Sequence, residues 1–257
     1  TGENNSGYGK IIATRGDSRW QASEGPEVIY RNGYYYLFLA YGTLAVEYNT
    51  RVCRSVNIDG PYVDMDGTPA MGGGELYPIL TAPYLFNNSY GWVGISHCGI
   101  FEDGEGNWFY TSQGRFPANV GGNEYSNAIM MGHVRSIRWD ANGWPLVMPE
   151  RYGAVPQVPI TEEEIAGNWE HLSLTSSTST QRTSETLTFD AGTHKISSGS
   201  WKDASWTFDA ASQTITTSAG VVLYLQREVD WEATPRTHTI VYAAQGNKKT
   251  YWGKKVQ

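Results

Sequence analysis

The chain has 257 residues, and 19 lysines and arginines against 26 aspartates and glutamates leave a net charge of −7. A hydrophobic fraction of 40% is enough to bury a core, which excludes wholesale disorder. The acidic balance excludes a nucleic-acid binder, which needs a basic stripe, and no apolar stretch approaches the ~20 residues that cross a bilayer as a helix.

The chain opens Thr1-Gly2-Glu3-Asn4-Asn5, without an initiator Met or an apolar leader. That is the expectation for a processed chain, a fragment or one piece of a larger molecule. From Val28 to Tyr41 the sequence predicts a hairpin: Asn32-Gly33 suits a tight primed turn, and the flanks are β-branched and aromatic. Gly72-Gly73-Gly74 has no helix after it and reads as a loop rather than a phosphate cradle. A second hairpin joins Gly99-Ile100-Phe101 to Trp108-Phe109-Tyr110 through a turn at 103–107. A third joins Ile137-Arg138-Trp139 to Trp144-Pro145-Leu146-Val147 through Asp140-Ala141-Asn142-Gly143. Three antiparallel units with aromatic strands and glycine-rich turns predict β-propeller blades in preference to a sandwich.

Composition changes near 154–162, where Pro156 and Pro159 flank a short stretch. Lys10 is the one lysine before residue 160, and all five methionines precede it. The expected organisation is a propeller portion over 1–155, a linker over 156–164 and a second unit over 165–257. Thr161-Glu162-Glu163-Glu164 is a capping box that can start one helical turn. Beyond it, 186–189, 206–208 and 221–225 alternate polar and apolar, which predicts a small antiparallel barrel or sandwich with one wet face. The whole chain therefore reads as all-β.

Few residues offer chemistry. Glu24, in Ser23-Glu24-Gly25-Pro26, enters the first hairpin at what would be the inner strand of a blade. With Trp20, Tyr30 and Tyr41 as neighbours it would be partly desolvated, which suits a general acid; otherwise it is a surface carboxylate before a turn. His97, in Gly94-Ile95-Ser96-His97-Cys98-Gly99, falls among small and apolar residues and is expected on an inner strand. It could be a metal ligand, a donor lining a channel or a satisfied core histidine. His133, His171, His194 and His238 fall in contexts expected to be polar, turn-like or exposed, with no spacing that suits zinc. Cys53 and Cys98 could form one disulfide or stay as buried thiols.

The strings SEGPEVIYRNGYYYLFLAYGTLAVEYNTRVCRSVNIDGPYVD, VGISHCGIFEDGEGNWFYTSQGRF and IRWDANGWPLVMPERY resemble the extracellular endo-arabinanases of glycoside hydrolase family 43. The segment from Ile165 to Val256 is similar to the accessory barrel-like domain of the two-domain members. The resemblance implies the last three or so blades of a five-bladed propeller, a partial propeller followed by a small antiparallel β-barrel-like domain. It implies inverting cleavage of α-1,5-linked arabinan or arabino-oligosaccharides outside the cell, in the periplasm or at the cell surface. Glu24 falls on the family's general acid. His97 falls on a channel histidine that coordinates calcium largely through water, although Ser96-His97-Cys98-Gly99 stands where the family usually has G-H-N-S. Tyr41 and Arg115 are candidates for substrate binding.

The family's base aspartate and a second aspartate lie upstream of the E-G-P motif. Only 23 residues precede Glu24 here, and Asp17 sits in none of the expected contexts. The expectation is an associated N-terminal fragment that supplies the missing carboxylates, since an inverting centre needs two carboxyls ~6.5–9.5 Å apart. The alternatives are a non-catalytic carbohydrate-binding or structural fragment, or a family 43 enzyme acting on xylan or arabinoxylan.

Overall fold

The computed structural model describes residues 9–15, 23–87, 89–175 and 179–257. β1 (Ser23–Arg31) and β2 (Tyr34–Tyr41) form the expected hairpin, and Asn32 (φ 49°) and Gly33 (φ 87°) both take the positive φ that a primed turn needs. β3 (Asn49–Ser55) and β4 (Ile79–Thr81) complete a four-stranded antiparallel sheet in the order β1-β2-β3-β4. β5 (Tyr84–Leu85) follows it. β6 (Gly99–Glu102), β7 (Trp108–Arg115), β8 (Met130–Trp139) and β9 (Pro145–Val147) form a second such sheet.

The blade expectation needs correction here. The second and third predicted hairpins are two halves of one sheet, because Trp108 pairs with Ile137 and Trp139 with Pro145. The described residues thus hold two four-stranded sheets, not three blades. Period-2 strands cannot show this: the β7–β8 pairing spans a 14-residue connection and leaves no local signal.

Strand alternation sorts the core. Tyr36, Phe38 and Val52 face Ile100, Tyr110, Trp144 and Val147 of the second sheet. Leu37, Leu39, Tyr41 and Cys53 face the other way, against Tyr62, Leu76, Ile12 and Ala13. Cys53 and Cys98 therefore lie in different clusters, and both are free thiols. Burial pushes each up to about 12, so neither is reactive near neutrality.

The second unit contains β10 (Gly167–Leu174), β11 (Arg182–Thr183), β12 (Glu185–Asp190), β13 (Lys195–Ile196), β14 (Trp206–Asp209), β15 (Thr214–Thr217), β16 (Val221–Asp230), β17 (Thr237–Gly246) and β18 (Lys249–Lys255). All but β11 form one antiparallel sheet in the order β13-β12-β10-β18-β17-β16-β15-β14. A bridge from Lys195 to Ser205, and the Trp206 amide donating to the His194 carbonyl at 2.9 Å, nearly close it into a barrel. Trp169, Phe189, Trp206 and Leu223 fill the interior. The predicted capping turn is present over Glu162–Glu164, with the Thr161 amide donating to Glu164 Oε2 at 2.9 Å.

The face of the barrel expected to be wet is dry where it meets the sheets. Leu172, Leu174, Val241, Ala243 and Trp252 share one core with Ile79, Tyr84, Trp92, Leu146 and Met148. Trp252 Nε1 donates to the Val147 carbonyl (2.9 Å) and Thr250 Oγ1 to that of Ile79 (2.6 Å). β11 pairs in parallel with β5. His133 and His171, expected in polar or exposed contexts, are buried at 2% and 1% exposure. His133 meets the edge of Trp92, and His171 Nδ1 lies 2.6 Å from the Tyr242 hydroxyl.

Candidate functional site

Glu24 is the second residue of β1 and pairs with Ala40. Immediately after it the register slips between Glu24 and Glu27, across Gly25 at φ +55° and Pro26. That bulge re-aims the start of the strand. Tyr48 ends the loop between β2 and β3 and is 1% exposed. The loop is held by Asn49 Nδ2, which donates to the carbonyls of Tyr41 (3.0 Å) and Glu47 (2.8 Å).

His97 is not on a strand. It occupies a bend two residues before β6 with φ +57°, because the chain must turn there from Ser96 into the sheet. Ser96 is buried and fixed, its Oγ 2.7 Å from Thr50 Oγ1, which is also 2.7 Å from the Tyr110 hydroxyl. The imidazole lies against Gly25: a Cβ there would come within 3.1 Å of ring atoms Cγ and Cδ2.

These pieces meet at one hydroxyl. Tyr48 donates to Glu24 Oε1 at 2.6 Å, and the same oxygen lies 3.1 Å from His97 Nδ1. The phenol has one proton, and the short bond to the carboxylate takes it. The oxygen's lone pair then accepts from His97 Nδ1–H, which leaves Nε2 outward. Burial, and after it the hydrogen bond and charge of Glu24, push Tyr48 well above the usual tyrosine range, so it remains a donor. Glu24 and His97 are themselves exposed. The expected desolvation of Glu24 by neighbouring aromatics is not seen among the described residues.

Tyr41 does not join this site. It pairs with Ser23, one residue from Glu24, so alternation puts its side chain on the opposite face of the sheet. There it is 1% exposed, with the Arg15 guanidinium 4.0 Å above its ring. It has no surface to offer a sugar. Tyr30 is exposed at the far end of β1, beside the turn. Trp20 and Asp17 lie outside the described residues. Arg115 ends β7 with Nη1 donating to the Asn127 carbonyl at 3.0 Å, its stem packed on Gly94. Among the described residues it makes no hydrogen bond or ion pair to Glu24, Tyr48 or His97.

Tyr48 is the residue that sequence reasoning missed. It stands inside the quoted Y-G-x-L-x-x-x-Y-N-x-R-V string, but nothing local separates it from the other tyrosines of a chain that has 17.

Calcium takes six to eight oxygen ligands. At His97 the described residues offer one imidazole nitrogen and the Glu24 carboxylate, whose Oε1 is already engaged by Tyr48, so they fall short of a calcium site by themselves. The tight acidic group Glu150, Asp230 and Glu232 is not a metal centre either. Lys254 Nζ sits within it, 2.7 Å from Glu232, 2.9 Å from Asp230 and 3.2 Å from Glu150.

Residues 3–145 match the family model described as glycosyl hydrolases family 43, and 149–253 match a C-terminal lipocalin-like domain of that family. The chain is 31% identical over 185 residues to extracellular endo-alpha-(1->5)-L-arabinanase 2 of Bacillus subtilis, covering 63% of this chain and 37% of that protein. It is 30% identical over 185 residues to the extracellular endo-alpha-(1->5)-L-arabinanase of Thermotoga petrophila, covering 65% and 37%. A crystal structure of endo-1,5-alpha-L-arabinanase from Thermotoga petrophila superposes with a TM-score of 0.83 over 99% of this chain and 59% of its own, at 24% identity. The chain thus spans less than two-fifths of the length of these curated relatives.

Proposed function

We infer that this chain, which belongs to glycosyl hydrolases family 43, supplies the proton-donating side of a centre that cleaves α-1,5-linked arabinan with inversion. One observation carries the reading: Glu24 is held by Tyr48 beside His97, while its Oε2 takes no hydrogen bond from the described residues. A fixed carboxyl with one open oxygen can deliver a proton to a glycosidic oxygen. The names of the two curated relatives support arabinan as the polymer and the extracellular space as the place.

In this mechanism Glu24 protonates the bridging oxygen as the bond to the anomeric carbon breaks, and the leaving sugar departs as an alcohol. Water attacks the anomeric carbon from the opposite face and loses its proton to a carboxylate base. Tyr48 orients Glu24 and His97 orients Tyr48, so the acid's geometry is set before substrate arrives. We place the base in an associated N-terminal segment of the same protein, because the family's aspartates stand upstream of the E-G-P motif. Among the described residues no second carboxylate is hydrogen-bonded to Tyr48 or His97, and an inverting base stands ~6.5–9.5 Å from the acid, outside that group.

The test assays debranched arabinan with the chain alone and with an N-terminal segment added, in parent and Glu24→Gln forms, with the product anomer read by NMR. Activity should need the added segment, release inverted product and fall about 10²- to 10⁴-fold in Glu24→Gln. Undiminished turnover by Glu24→Gln would remove Glu24 from the mechanism.

A further inference from the structure

We propose that a cleft between the second sheet and the barrel binds a strand of neutral oligosaccharide, remote from Glu24; calling that strand arabinan rests on the substrate reading above. The cleft has a volume of about 540 Å³, within the ~300–1,000 Å³ usual for small-molecule sites. Trp108, Phe109 and Tyr152 form one side, and Gln213 and Gln226 of the barrel form the other.

Its position separates it from the candidate active site. His97 precedes Gly99, which pairs with Thr111 at one end of the β6–β7 ladder, whereas Trp108 pairs with Glu102 at the other end. Thr111 and Trp108 are three residues apart along β7, roughly 10 Å at ~3.3 Å per residue. The cleft therefore holds a second region of polymer, or a second chain.

The chemistry of the walls selects the ligand. No aspartate or glutamate lines the cleft, and its one charged side chain, Arg138, is already engaged. Arg138 Nη1 donates to the carbonyls of Leu225 (2.5 Å) and Gln213 (3.2 Å), and Nη2 donates to that of Ser212 (3.0 Å). What remains is neutral and amphipathic. Tyr152 is 42% exposed, its ring edge-on to Phe109 at 4.9 Å. Neither its hydroxyl nor the Gln226 amide has a hydrogen-bond partner among the described residues. A ring face beside free hydroxyl and amide groups suits a sugar, which offers C–H bonds to the one and hydroxyls to the other.

The walls are also held in place. Gln157 Nε2 donates to the Arg227 carbonyl at 2.9 Å, and Gln213 Nε2 to that of Ile160 at 3.1 Å, tying the connecting segment to the barrel. A rigid site loses little entropy on binding.

The experiment uses the full chain with Glu24→Gln, so that any polymer bound stays uncut. A linear α-1,5-arabino-oligosaccharide is titrated while NMR follows the Trp108 indole, and affinity electrophoresis in arabinan gels compares Tyr152→Ala and Gln226→Ala with their parent. The Trp108 signal should move, and each variant should weaken retention, Tyr152→Ala by about ten-fold, with unchanged melting temperature. An immobile Trp108 signal together with unaltered retention of Gln226→Ala overturns the proposal even if Tyr152→Ala fails to fold. Cleavage by the unmutated chain with its N-terminal segment is read separately. Sugar bound at Trp108 without cleavage of arabinan leaves the cleft standing and overturns the substrate reading; cleavage with a silent Trp108 does the reverse.

Discussion

The Tyr48 hydroxyl donates to Glu24 Oε1 across 2.6 Å, and that one bond determines what the exposed carboxyl of Glu24 can do. Tyr48 is buried and keeps its proton, so the acid has a fixed partner on one oxygen and an open second oxygen. Tyr48→Phe keeps the ring and deletes the bond to Glu24 and the contact with His97. A hydrogen bond to a charged group contributes about 1.5–3 kcal/mol. Turnover should accordingly fall about ten- to hundred-fold with KM little changed, measured with the N-terminal segment present. Unaltered turnover would mean that Glu24 does not need Tyr48.

Gly25 is the second device that sets this geometry. At φ +55° an alanine costs about 1 kcal/mol of backbone strain. Its Cβ would also stand 3.1 Å from the His97 ring, tighter than ordinary contact. Gly25→Ala should therefore move His97 away from Tyr48 and lower activity more than stability. The measurement pairs the melting temperature with the His97 ring signals in NMR. A variant with native His97 signals and reduced activity would place the effect elsewhere.

Some of this was legible in the sequence because it is local. Asn32-Gly33 announces its turn, the alternation in 186–189 and 221–225 announces strands, and Thr161 with Glu164 announces a cap. What failed depends on pairing across distance. Tyr41 looked like a neighbour of Glu24, but the Ser23–Tyr41 register puts it behind the sheet, while Tyr48 reaches the acid from the following loop. His97 looked like a strand residue because its neighbours are small and apolar, yet its left-handed φ follows from how the chain enters β6. His133 gave no sign of burial, since Trp92 reaches it from another segment. The family strings brought Glu24 and His97 forward together, and physical reasoning on either residue alone left both open.

The shared core makes a prediction about autonomy. Trp252 lies on the barrel strand β18 but is fully buried against Tyr84 and donates to Val147 of the second sheet. Removing a buried tryptophan side chain costs about 3–5 kcal/mol. Trp252→Ala should destabilise the sheets and the barrel together, giving one calorimetric transition at lower temperature. A chain ended at residue 155 would expose Ile79, Trp92, Leu146 and Met148 to water, and it should aggregate. Two separate transitions, with only one shifted by Trp252→Ala, would show that the barrel melts independently.

The buried histidines set a pH dependence with a definite sign. Burial, and then the charges of Arg135 and Arg151, push His133 down to about 2; burial, and then Lys249, push His171 down to about 3. Both are neutral in the fold and take a proton on unfolding once the pH drops below the ordinary histidine value near 6.5. Their contribution is therefore complete above about pH 6.5 and is lost as acid is added, by about 1.4 kcal/mol per pH unit for each proton. Glu228 works oppositely: burial raises it to about 7, so its contribution is complete below the ordinary carboxyl range and fades as the pH rises through 7. The two effects overlap between about pH 4.5 and 6.5, which would blur a single profile. His133→Leu resolves them, because Glu228 is common to both proteins and cancels in the difference. Neither ring nitrogen of His133 has a hydrogen-bond partner among the described residues, so the leucine leaves no polar group stranded. Urea unfolding at pH 7 should place the variant within about 1 kcal/mol of the parent, and between pH 6 and 4 the variant should lose one proton's worth less stability per unit. Parallel profiles for the two proteins would mean that His133 is protonated in the fold.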